Sequence, residues 1–209
     1  MIEIKICGIK TLDDALAAVE VGADYLGFNF YPKSPRFVER QVCADIASVL
    51  KKEHPHIKRV GVFVNSSVEE MKDILDTCSL DLAQLHGDET VAMLEGLDGK
   101  GFKAFRGIPA DVNRFARDDV PAFLVDASVK GLYGGSGVTA DWDGAAELAK
   151  EYSLLLAGGL TPENVAEAVG RVKPWGVDVA SGVESVPGKK DPSKMKAFVQ
   201  AVRDAEIKV

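Results

Sequence analysis

Histidine and cysteine are scarce in this chain of 209 residues, three of each. An odd number of cysteines without short spacing excludes a disulfide framework and fits a reducing compartment. Of the histidines, His54 and His56 precede a strand, and only His86 stands at a strand's carboxyl end. One histidine does not supply the ligand set of a zinc site, so no metal is implied, and no other cofactor is called for. Basic residues are outnumbered, 25 against 32 acidic ones, and the net charge of −7 argues against a nucleic-acid partner. No apolar run approaches the roughly 20 residues of a membrane span. The opening Met-Ile-Glu-Ile-Lys reads directly as a strand and lacks the basic-then-apolar pattern of a signal peptide. A soluble, cytoplasmic protein is expected.

What is present is an alternation. Short β-rich runs lie at 2–7, 25–30, 59–64, 82–85, 102–106, 122–126, 154–157 and 177–179. Between them, apolar residues recur at helical steps, as in Leu12, Ala15, Leu16 and Val19, or Met71, Ile74, Leu75 and Cys78. Helix starts are marked at Thr11, at Asp88 and at Thr161-Pro162-Glu163. Strands that alternate with helices pair in parallel through right-handed crossovers. Eight such units predict an α/β fold, a (β/α)8 barrel, although 209 residues is slightly short of the usual length of about 250. An open doubly wound sheet is the rival. With no linker or composition break, residues 1–209 read as one catalytic domain.

Side chains alternate across a strand, and helices must cover the apolar face. In the first strand Ile2, Ile4 and Ile6 therefore face the helices, and Glu3, Lys5 and Cys7 face the barrel axis. The same reasoning turns Asn29, Gln84, His86, Asp126 and Asp178 inward. A polar interior has to be paired internally, because a lone buried charge is costly. Lys5 is expected to neutralise Asp178, with Glu3 nearer the base.

Cys7 and Asp126 each stand where a strand ends and a loop begins, the placement of a base and an acid presented to one small ligand. An inert buried thiol is the plainer reading of Cys7, and it is the one given to Cys43 and Cys78 on helical apolar faces. Gly158-Gly159 after strand seven and Ser181-Gly182 after strand eight form consecutive glycine loops. Backbone there can approach an anion, and this pair of loops is the recurrent phosphate site of such barrels; tight turns alone are the alternative. Arg36 follows two prolines in the loop after strand two and is placed to meet a carboxylate in bidentate fashion, or else is a surface arginine. The stretch 131–137 lacks the Lys-Ser/Thr of a nucleotide loop and reads as a flap over the site. No lysine ends strand six, which weakens a Schiff-base aldolase.

Taken in order, these motifs resemble the phosphoribosylanthranilate isomerases of tryptophan biosynthesis. The likeness is carried by Lys-Ile-Cys-Gly at 5–8, Gly-Phe-Asn-Phe-Tyr-Pro-Lys-Ser-Pro-Arg at 27–36, Gly-Val-Phe-Val at 61–64, Gln-Leu-His-Gly at 84–87 and Val-Asp at 125–126. It continues through Gly-Gly-Ser-Gly at 134–137, Asp-Trp at 141–142, 157–165, 176–184, Pro-Gly at 187–188 and Lys-Asp at 190–191. The chain departs at Val138 and Ala140, where the family often has lysine and phenylalanine. The resemblance implies a barrel enzyme carrying out an Amadori rearrangement of a phosphoribosyl aminoaldose. Cys7 would be the general base and Asp126 the general acid. Arg36 would hold the anthranilate carboxylate, Gly158, Gly159, Ser181 and Gly182 the phosphate, and His86 and Asp178 would orient the sugar. The partner implied is a phosphosugar substrate, and the chain is a monomer or a homodimer. Another phosphosugar barrel, such as a ribulose-phosphate epimerase or an indole-glycerol phosphate synthase, would need metal-binding histidines or a catalytic lysine. A non-catalytic phosphate-binding barrel is the reading from a different class.

Overall fold

Strand runs of four to six residues alternate with helices, and this spacing sets the topology. The computed structural model describes residues 1–117, 121–127 and 141–207. The strands are β1 (Glu3–Cys7), β2 (Tyr25–Asn29), β3 (Lys58–Phe63), β4 (Leu82–Leu85), β5 (Gly101–Arg106), β6 (Phe123–Asp126), β7 (Leu154–Ala157) and β8 (Gly176–Val179). Each pairs in parallel with the next, and β8 returns to β1, closing the barrel and excluding the open sheet. Every expected strand boundary falls within one residue of the observed one.

The outer layer contains α1 (Leu12–Glu20), α2 (Arg40–Glu53), α3 (Val68–Thr77), α4 (Val91–Glu95), α5 (Trp142–Ala149), α6 (Val165–Val172) and α7 (Pro192–Glu206). Several begin on a side-chain cap. Thr11 accepts from the Asp14 N–H at 3.1 Å, and Asp191 accepts from Ser193 and Lys194 at 2.9 and 3.2 Å. Such a cap contributes about 1 kcal/mol.

Two helix starts differ from the sequence expectation. Asp88 does not open α4: its N–H is held by Asn65 at 2.7 Å, and Thr90 is the cap, accepting from Met93. Thr161-Pro162-Glu163 forms a turn ahead of α6, because the Asn164 side chain holds the Thr161 N–H at 2.8 Å and the Gly159 carbonyl at 2.9 Å. Between β5 and β6 the described residues form turns, not a helix; Gly107 and Pro109 interrupt that segment. The expected flap at 131–137 lies outside the described residues, as do Val138 and Ala140.

Alternation along the strands separates two cores. Ile4 and Ile6 are fully buried in the layer between strands and helices, together with Ala15, Ala18, Phe198 and Val202. Inside the barrel, Tyr25, Val60, Phe102, Leu124 and Leu155 form a separate apolar cluster. Tyr25 meets the Trp175 ring edge-on at 5.8 Å, closing the base of the barrel. The first strand is seated there by α7: the Ile2 N–H donates to Glu206, and Arg203 donates to the Ile2 carbonyl at 2.6 Å. After β8 the chain makes a 3-10 turn (Ser181–Val183) and an antiparallel hairpin, β9 (Glu184–Val186) with β10 (Lys189–Lys190). Among the described residues, no helix is long and apolar enough to cross a membrane.

Candidate active site

The carboxyl ends of the strands surround a cavity of about 270 Å³. Cys7 from β1 and Asp126 from β6 both line it, their strands three steps apart around the ring. Arg36, His86, Gly158, Gly159, Asp178 and Ser181 share the same wall. A larger apolar groove of about 750 Å³ opens at the opposite face beside Met1, Trp175 and Ile207, but it holds neither the thiol, the acid nor a glycine loop. The smaller cavity is therefore the candidate site.

Its floor is an ion pair. Lys5 and Asp178 stand opposite each other on β1 and β8, with Nζ 2.9 Å from the carboxylate and the lysine wholly buried. Burial works against the lysine's charge, but Asp178 and the neighbouring Cys7 outweigh it and hold Lys5 above the ordinary lysine value. Burial pushes the Cys7 thiol up, and Asp178 adds to this; Lys5 and Lys190 pull the other way. The empty site at neutral pH therefore holds Cys7 as a thiol beside a fixed positive charge.

His86 completes one side of the wall. Burial lowers its pKa from the ordinary value, with Lys5 and Arg106 adding to the effect against Asp178 and Asp126. The Gln84 amide nitrogen lies 3.0 Å from Nδ1, an orientation that puts the neutral ring's proton on Nε2; turning the amide over would instead pair the unpartnered, buried Gln84 Oε1 with an Nδ1–H. In the first orientation His86 presents a neutral Nε2–H donor to the cavity.

The expected phosphate loops come together. Gly158 and Gly159 both have positive φ, at 100° and 64°, and Ser181 lines the same cavity. Gly182 lies behind Ser181, where a Cβ would come 1.9 Å from the Leu160 carbonyl oxygen. Glycine there allows the two loops to touch.

Arg36 reaches the cavity by lying over Gly8, where a Cβ would come 2.6 Å from its Cδ. Its bidentate partner within the protein is Glu184, at 2.8 Å from Nε and 2.7 Å from Nη2. Glu184 also accepts from buried Lys190 at 3.0 Å. Burial opposes the Glu184 charge, but Arg36 and Lys190 prevail and hold its carboxyl below the ordinary range. Both residues fall within the motifs of the sequence resemblance, yet the pattern alone gives them no role. A second unforeseen pair, Lys103 with Glu89 at 3.0 Å, braces the loop that follows His86: Glu89 accepts from the Asn65 and Gly87 N–H groups. Neither Lys103 nor Glu89 stands at a strand's carboxyl end, so strand position gives no hint of this pair.

A closed parallel barrel with an acid, a thiol and two glycine loops around one cavity is the architecture of a class, the barrel enzymes acting on sugar phosphates. Residues 4–201 match the family model described as N-(5'phosphoribosyl)anthranilate (PRA) isomerase. The N-(5'-phosphoribosyl)anthranilate isomerase of Pseudomonas fluorescens is 49% identical over 203 residues, covering 95% of this chain and 97% of that protein. The solved phosphoribosyl anthranilate isomerase of Thermotoga maritima superposes with a TM-score of 0.86 at 37% identity, covering 98% of this chain and all of that one, 100%. Another structure of the T. maritima enzyme is described as monomers generated from a dimeric protein (TM-score 0.82, 35% identity, 98% and 100% covered). A phosphoribosyl anthranilate isomerase in complex with reduced 1-(o-carboxyphenylamino)-1-deoxyribulose 5-phosphate superposes at 0.80 with 34% identity, again covering 98% and 100%. The chain belongs to the phosphoribosylanthranilate isomerase family.

Proposed function

We propose that the chain converts N-(5-phosphoribosyl)anthranilate to 1-(2-carboxyphenylamino)-1-deoxyribulose 5-phosphate, an Amadori step of tryptophan biosynthesis, with Cys7 and Asp126 as its acid–base pair. The observation that carries the assignment is their placement on strands three steps apart around one cavity whose wall also holds the glycine loops.

Asp126 gives a proton to the ring oxygen of the substrate. The C1–O bond breaks as the nitrogen lone pair forms a C1=N bond, and the resulting iminium acidifies the C2 hydrogen. Cys7, as thiolate, removes that proton; the electrons left behind form C1=C2 and neutralise the nitrogen. The Cys7 thiol returns its proton to C1 of the enolamine, the C2 hydroxyl proton passes to the Asp126 carboxylate, and the aminoketone forms with both groups restored. Lys5 stabilises the thiolate while it exists. His86 donates from Nε2 to a sugar oxygen, and Asp178 accepts from a hydroxyl. Gly158, Gly159, Ser181 and Gly182 form the phosphate cradle, and the free edge of Arg36 meets the anthranilate carboxylate.

Residues 1–209 act as one catalytic unit in the cytoplasm, as a monomer or a homodimer. The dimeric T. maritima relative favours the homodimer. Light scattering on purified protein tests it, a monomer mass counting against it. Loss of anthranilate-type fluorescence when the protein meets its substrate tests the activity. Unchanged fluorescence, together with failure to rescue a tryptophan auxotroph, overturns it.

A further inference from the structure

We infer that Glu184 is a positioning residue for recognition of the substrate's aromatic carboxylate, and that Lys190 completes the charge balance on which this recognition depends. The inference rests on the function proposed above and adds two residues that never touch the reacting atoms.

A guanidinium has five N–H donors in one plane. Glu184 takes the Nε–H and one Nη2–H of Arg36. What remains is the end-on edge, formed by Nη1 and the second Nη2–H, and Nη1 has no hydrogen-bond partner among the described residues. The orientation of that edge is fixed: the arginine stem lies over Gly8 and the carboxylate holds the opposite side. A planar fork held in this way is matched to a planar carboxylate.

The charge is set as well. Arg36 and Lys190 each carry a positive charge and Glu184 one negative, so the cluster retains a single positive charge. Without Lys190 it would be neutral, and a carboxylate arriving at a half-buried site would gain little. The Glu184 side chain is 3% exposed and that of Lys190 0% exposed, which places both behind Arg36 and away from the ligand.

Lys190 also donates to the Ala180 carbonyl at 3.0 Å, immediately before Ser181 of the phosphate cradle. Lys194 donates to the Glu184 carbonyl at 2.8 Å. The β9–β10 hairpin therefore fixes the span between the carboxylate fork and the phosphate loops, and so acts as a gauge of ligand length.

The test compares two ligands by calorimetry: the reduced 1-(o-carboxyphenylamino)-1-deoxyribulose 5-phosphate and the same compound without its carboxylate. The wild-type protein binds the first more tightly. Glu184→Gln raises the cluster to two positive charges, which alone would favour the carboxylate, but it releases the held fork; the preference shrinks by about tenfold while affinity for the compound without a carboxylate moves much less, and a larger preference overturns the positioning role. Lys190→Met, read independently, shrinks it too. Parallel weakening of both ligands in either variant means a merely structural role and overturns the inference, as does an unchanged preference. A wild-type protein that turns over substrate but ignores the carboxylate overturns it through Arg36. A wild-type protein without turnover overturns the proposed function, while the preference ratio still decides the role of Glu184.

Discussion

Lys5 Nζ and the Asp178 carboxylate meet at 2.9 Å across directly paired positions of β1 and β8, beneath the thiol of Cys7. The lysine has no access to solvent, so its partner cannot be replaced by water. Lys5→Met or Asp178→Leu is expected to cost about 3–5 kcal/mol, because each leaves one buried charge uncompensated. Combining Lys5→Met with Asp178→Leu should recover much of that loss. Urea denaturation of the singles and the double measures the coupling, and simple additivity would contradict a buried pair.

Cys7→Ala and Asp126→Asn should each reduce kcat by about 10²–10⁴-fold. The reactive form shares one proton between two groups, so the rate declines when both are protonated and when both are not. The alkaline decline follows Cys7. Burial and Asp178 raise its pKa from the ordinary 9.0, against Lys5 and Lys190, so this decline is expected above pH 9. Lys190→Met removes one opposing charge and should move it higher. A profile of kcat/KM already falling at lower pH would separate Cys7 from that limb.

Gly182→Ala forces a methyl group into the Leu160 carbonyl, 1.9 Å from where Cβ would sit. The loops after β7 and β8 must then part, and the phosphate cradle widens. Competitive inhibition by inorganic phosphate should weaken by about tenfold or more, since a misplacement of even 1 Å is costly in an oriented site. Inhibition equal to wild type would show that the cradle does not depend on this contact.

Tyr25 gives the barrel base an alkaline signature. Burial first, then Glu3, Asp24 and Asp81, push its phenol from 10.0 up to about 12. The unfolded chain loses this proton first, so the stability contributed by the neutral phenol is fully present below pH 10 and is lost as pH rises toward 12. Thermal melts should fall across that window less steeply in Tyr25→Phe than in wild type. Identical slopes would show that Tyr25 ionises freely.

Much of this site is legible in the sequence because a closed barrel converts strand alternation into spatial position. Lys5 and Asp178 are 173 residues apart, yet their pairing follows from two facts visible in the chain: both alternate toward the axis, and the last strand must return to the first. Cys7 and Asp126 are legible as strand-end residues for the same reason. The Arg36–Glu184 contact, over 148 residues, follows no such rule, because both lie beyond the barrel strands, where the closing of the ring does not constrain direction. The starts of α4 and α6 are misread for a local reason. Asp88 and Thr161-Pro162 have cap chemistry, but Asn65 and Asn164 capture the backbone there first.

Tyr25 and Trp175 pack the barrel base with the inner apolar cluster, so the hydrogen taken from C2 is expected to leave the sulfur toward the mouth. Sulfur can trade it with bulk water only through the mouth, which the sugar itself obstructs during turnover. Substrate deuterated at C2 should therefore deliver part of its isotope to C1 of the ketose, making the enzyme in effect a one-sided shuttle.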